Sequence, residues 1–109
     1  MGTVRVMART AKPLQPLDRE IARVLSDAVE RSGASRRELA DTTGMSMNRI
    51  GIILRAEAPP ASVGEIELIA QAVGLTASEV LRRGEAGDYA LAALDRDDDE
   101  EAEAHQTEP

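Results

Sequence analysis

The chain has 109 residues, with 13 basic and 20 acidic side chains and a formal net charge of −7. It contains no cysteine, phenylalanine or tryptophan and a single tyrosine, which excludes disulfides, thiol nucleophiles and cysteine-ligated metals. A core must come from Leu, Ile, Val, Met and Ala, which suits one small helical bundle with tails. The one histidine, His105, stands in a polar tail with no partner at ligand spacing. No apolar run approaches the ~20 residues that span a bilayer, and no apolar stretch of a signal peptide follows the N-terminal arginines. The expectation is a cytoplasmic protein without a membrane partner.

The net charge hides a division. Residues 1–94 carry as many basic as acidic side chains, and residues 95–109 carry eight acids against Arg96. Residues 1–55 are basic, with ten cationic side chains against six acids. Arginine outnumbers lysine twelve to one, and arginine suits bidentate phosphate and guanine contacts.

In chain order, residues 1–16 hold Arg5, Arg9 and Lys12, no acids, and prolines at 13 and 16. They read as a flexible basic arm. A first helix is predicted from Asp18, as its cap, to Ser32, with Ile21, Leu25, Ala28 and Val29 at helical spacing and Gly33 as its stop. Ser35-Arg36-Arg37-Glu38 has the form of a capping box, opening a short helix that ends near Thr43 at Gly44. Ser46 caps a third helix, "MNRIGIILR". Ala58-Pro59-Pro60-Ala61 is a stiff loop. Ser62-Val63-Gly64-Glu65 opens a fourth helix with Ile66, Ile69, Ala70 and Val73 on one face and a stop at Gly74. Thr76-Ala77-Ser78-Glu79 opens a fifth, with Val80 and Leu81 behind it and a stop at Gly84. The reading is all-α, with residues 17–85 as a five-helix domain and 86–94 as a short helical extension carrying Tyr89, Leu91 and Leu94. Residues 95–109 form an acidic tail expected to be disordered.

Catalysis has little to stand on. There is no Ser-His-Asp set, Cys-His pair, phosphate-cradling glycine loop or metal cluster, so neither enzyme chemistry nor a cofactor is expected. The informative region is 35–55. Two short helices joined by a turn are the helix-turn-helix layout. Ala40 is small enough for close helix packing, Gly44 accepts the positive φ of the turn, and Leu39, Met45, Ile50 and Ile53 fall where an apolar pocket is needed.

With those residues in place, positions 21–81 resemble the repressor/Cro-type helix-turn-helix family of phage and bacterial transcriptional regulators. The likeness rests on "SRRELADTTGMS", "SVGEIELIAQAVGL" and "TASEVL". It implies a third helix in the DNA major groove, double-stranded DNA as partner, and a homodimer on paired half-sites. Carried over residue by residue, it sets Ser35 and Arg36 against a phosphate, with Arg36 where the family often has glutamine. Ser46, Met47 and Asn48 enter the groove, and Gly51, Ile52 and Arg55 continue that face. Arg37 and Arg49 complete the candidate DNA-binding set.

Departures from the family leave two readings open. Polar residues usually stand where this chain has Gly51 and Ile52, and often a glutamate then a glycine where it has Leu54-Arg55-Ala56. In the first reading Gly51 permits close backbone approach to the duplex, Met47 or Ile52 packs on thymine methyls, and Asn48 reads an adenine edge. In the second, the apolar third helix or the acidic tail binds a protein partner, as in an antitoxin or adaptor. Arg82 and Arg83 suit the C-terminal dipole of a helix or a DNA backbone. The tail is a solubilising segment, a DNA mimic competing for the basic face, or a handle for a basic partner.

Overall fold

Side-chain caps fix where the helices of this chain begin. In the computed structural model, which describes residues 11–88, four helices span Pro16–Ser32 (α1), Arg36–Thr43 (α2), Met47–Leu54 (α3) and Val63–Ala72 (α4). A fifth, α5, starts at 77 and continues to 88. No strand occurs among the described residues. The three predicted capping boxes form. The amides of Glu38, Glu65 and Glu79 donate to the hydroxyls of Ser35, Ser62 and Thr76, and each glutamate accepts from the cap residue's own amide at 2.8–2.9 Å. Ser46 caps α3 by accepting from the Arg49 amide at 3.0 Å. Each such cap contributes about 1 kcal/mol by satisfying an amide that the helix leaves unpaired.

Two helix boundaries differ from the sequence expectation. Asp18 does not cap α1. The cap is Gln15, Pro16 takes the first helical position, where its missing N–H costs nothing, and Asp18 reaches back to accept from the Gln15 amide at 2.7 Å. Gly84 does not stop α5, which passes through it. The reason is packing: a Cβ at Gly84 would lie 2.9 Å from Cγ1 of Ile21 and 3.4–3.5 Å from the Ile21 backbone. Gly84 is thus the point where α5 crosses α1 with no room for a side chain. The expected arm before residue 11, most of the extension and the acidic tail lie outside the described residues.

Each helix supplies one large, fully buried side chain: Leu25, Leu39, Ile50, Ile69 and Val80. Around them Ile21, Val24, Ile53, Ile66 and Ala70 complete the core, with Met45 and Leu54 packed against it. α1 and α2 each pack on both α3 and α4. Ala22 and Val24 join the buried face of α1. Glu20 is buried as well, paired to Arg23 at 2.9 Å, and Gly87 of α5 lies over that pair.

Substituting Gly84→Ala should destabilise the domain by about 1–3 kcal/mol, because an overpacked crossing outweighs the gain in helix propensity. Urea unfolding monitored by helical circular dichroism measures it. A helix-stop role alone would leave the midpoint unchanged.

Candidate nucleic-acid interface

The turn between α2 and α3 is held by its own atoms. Gly44 takes φ +79°, a left-handed conformation that glycine adopts without strain, and its amide donates to the Ala40 carbonyl at 2.9 Å. The Thr43 hydroxyl donates to the Leu39 carbonyl at 2.7 Å and accepts from the Met45 amide at 3.1 Å. Leu39, Ile50 and Ile53 are buried and Met45 is partly so, filling the pocket between the helices as their spacing implied. This clamps α3 against the bundle and leaves its remaining side for other contacts.

Along that side Met47 is 45% exposed, Asn48 and Arg55 are exposed, and Ile52 is half-buried. Ser35, Arg36 and Arg37 are exposed at the start of α2, and Ser46 at the start of α3. These candidate residues therefore lie at the surface of the helix pair. Two others differ.

Gly51 is buried, not open. An added Cβ would lie 2.8 Å from Nη1 of Arg55, 3.0 Å from Nη1 of Arg36 and 3.4 Å from the Arg36 Cζ. Two guanidinium groups, one from each helix of the pair, cover the glycine. The Gly51 backbone is thus covered by two side-chain ends in this arrangement, which corrects the expectation of a bare backbone surface.

Arg49 turns away from the open side and spans to the next element. Its Nε and Nη2 donate to the two Glu65 oxygens at 2.8 and 2.9 Å, and Nη1 and Nη2 donate to the Pro59 and Pro60 carbonyls at 2.9 Å each. These four bonds leave the guanidinium one further donor. No local pattern signals this contact, because the partners lie ten to sixteen residues away. Hydrogen bonding to Arg49, opposed by partial burial and aided by the Ser62 amide, lowers the Glu65 carboxyl from 4.5 to about 2.

The end of α3 is unusual. Ala56 has φ +58°, the left-handed region where glycine is the common residue. The amides of Ala56 and Glu57 donate back to the Ile53 and Ile52 carbonyls at 3.0 Å each. The reversal returns Glu57 toward Arg55, whose Nε and Nη2 donate to its carboxylate at 3.0 and 3.3 Å. That contact lowers the Glu57 pKa and raises that of Arg55. Arg36, in contrast, forms no ion pair among the described residues.

Capped α2, a left-handed glycine turn and α3 locked by an apolar pocket are the geometry of a helix-turn-helix. Comparison with known families agrees: the helix-turn-helix domain family matches residues 20–83. The chain belongs to that family. Its match covers α2, the turn, α3 and α4, most of α1 and the first part of α5. No curated protein and no solved structure matches the chain. Among the described residues of this helix-turn-helix protein, no helix is long and apolar enough to cross a membrane, and no group of His, Asp or Glu is placed to hold a metal.

Two outcomes follow for stability. The Glu65 carboxyl is depressed in the folded state, so its contribution is complete above about pH 4.5 and is lost as pH falls toward about 2. In Arg49→Met the Glu65 midpoint, followed by carboxyl NMR, should rise from about 2 toward 4.5, held below it only by Ser62. Its melting temperature at neutral pH should fall. Ala56→Gly should raise stability by up to about 1 kcal/mol by relieving the left-handed alanine, as measured by chemical denaturation.

Proposed function

We propose that this protein is a sequence-specific DNA-binding transcriptional regulator, a small phage or bacterial repressor of the repressor/Cro type. In this reading it acts in the cytoplasm as a homodimer on paired half-sites, without cofactor or enzymatic activity. α3 enters the major groove, where Met47 and Ile52 offer apolar contacts to thymine methyls and Asn48 offers the amide that suits an adenine edge. Ser35, Arg36, Arg37, Ser46 and Arg55 face phosphates, which fix register and orientation. The observation that supports this reading best is the convergence of Arg36 and Arg55 on Gly51. It gathers cations from both helices of the pair at the middle of α3, beside exposed Met47 and Asn48. Arg49 is assigned to holding α3 in place and not to the duplex.

The exposure of Met47 favours a second reading, in which α3 contacts a protein as part of an antitoxin or adaptor. Selection from random duplexes separates the two. The DNA reading expects an enriched motif with two related half-sites and an affinity that falls steeply with salt. Asn48→Ala should cost about 1–3 kcal/mol on the best site and flatten preference at one position. Arg36→Ala should weaken all sequences alike and reduce the salt dependence. No enriched motif and no binding at low salt would overturn the DNA reading in favour of a protein partner.

A further inference from the structure

We propose that Gly51 is a positioning residue: by leaving out a side chain it seats the guanidiniums of Arg36 and Arg55 side by side, and the pair holds one backbone phosphate between them. The inference rests on the DNA-binding reading and adds to it how two cations and a glycine act as one unit.

The distances require a shared site. Both Nη1 atoms lie within 3.0 Å of the one point where a Gly51 Cβ would stand. They are therefore within about 6 Å of each other, a separation at which like charges repel and an anion between them is favoured. Glu57 does not fill that role. It takes Nε and Nη2 of Arg55, the opposite edge, and leaves Nη1 over the glycine. Arg36 has no carboxylate partner among the described residues. The pair therefore presents two cations with one counter-charge, with one Nη1 of each over the same glycine. A phosphate diester supplies the missing charge and has two free oxygens to accept from two guanidiniums. The glycine matters because a Cβ at this position would push Nη1 of Arg55 aside and crowd that of Arg36. These ends are flexible, so the fold tolerates the change while the seat does not.

The test uses the full chain on a selected duplex, with affinity measured across salt and melting temperature as control. Gly51→Ala should keep or raise the melting temperature, since alanine is the better helix residue. It should weaken binding about tenfold, the scale of one lost charge-assisted hydrogen bond. In an Arg36→Ala/Arg55→Ala background the same Gly51→Ala change should have no further effect on affinity. That double arginine variant should lower the slope of log affinity against log salt by about 0.9, the value for one phosphate, not by about 1.8 for two. A duplex-binding wild type whose affinity is unmoved by Gly51→Ala would overturn the seat and leave the DNA reading intact. So would a slope loss near two phosphates, or a Gly51→Ala effect that persists without the arginines. A wild type that binds no duplex would overturn the DNA reading itself.

Discussion

Placement of α3 depends on a single guanidinium. Arg49 sits in the first turn of α3 and grips the start of α4 through Glu65 and the intervening loop through two proline carbonyls. The same Glu65 caps α4 through Ser62, so one carboxylate ends a helix dipole favourably and anchors a second helix. Both side chains of the pair are about a quarter exposed. Desolvation is thus partial, and planar bidentate geometry gives the contact more weight than an ordinary surface ion pair. The apolar residues Ile50 and Ile53 press α3 onto the bundle, but apolar contact is non-directional. The Arg49 bonds add direction, setting the rotation and tilt with which α3 presents Met47, Asn48 and Arg55.

Much of the architecture was legible because it is local. A serine or threonine three residues before a glutamate is a helix start whatever surrounds it, and Ser35, Ser62 and Thr76 all behave so. Gly44 was legible because only its own φ is at issue. The same reasoning failed at Gly84, where a glycine near an expected helix end is a packing device. Its meaning depends on Ile21, sixty-three residues earlier, and no local pattern carries that. Gly51 misled in the same way. Its helical position was correct, but its neighbours are side chains folded over it from α2 and from the end of α3. Arg49 belonged by spacing to the candidate interface, and its capture by Glu65 became visible only once α4 was placed. Identity and periodicity thus located the helix pair, while the ion pairs of Arg49 and Arg55 depend on where Glu65 and the reversal at Ala56 lie.

The acidic composition of the whole chain also hides the site's chemistry. The excess of acids is confined to residues 95–109, and the rest of the chain is balanced. Within the balanced part the pairing is selective. Arg23 is offset by Glu20 and Asp27, Arg49 by Glu65 and Arg55 by Glu57, whereas Arg36 and Arg37, like Arg19, Arg31, Arg82 and Arg83, form no ion pair among the described residues. Charge that matters to a phosphate partner is the uncompensated local charge within about a Debye length, roughly 8–10 Å, and not the net charge of the chain.

Gly51 brings these points together. Judged by stability alone, a glycine in the middle of a short helix is a poor choice, since it costs about 0.5–1 kcal/mol relative to alanine. Seating two guanidiniums above it adds repulsion that Glu57 relieves on one side only. Ala56 in a left-handed conformation adds a further cost at the same helix end. Three unfavourable choices around one end of α3 are hard to reconcile with selection for the fold, which elsewhere in this chain caps its helices and fills its core consistently. Local rules tend to be broken where function sets the requirement. Here all three breaks act on the same atoms: the missing Cβ makes room for Nη1 of Arg55, the reversal at Ala56 brings Glu57 to the other edge of Arg55, and Arg36 completes the pair. The apolar α3 is therefore a core helix on its Ile50 and Ile53 side, and its other side carries Gly51 beneath the guanidiniums of Arg36 and Arg55, the arrangement on which the proposed phosphate seat rests.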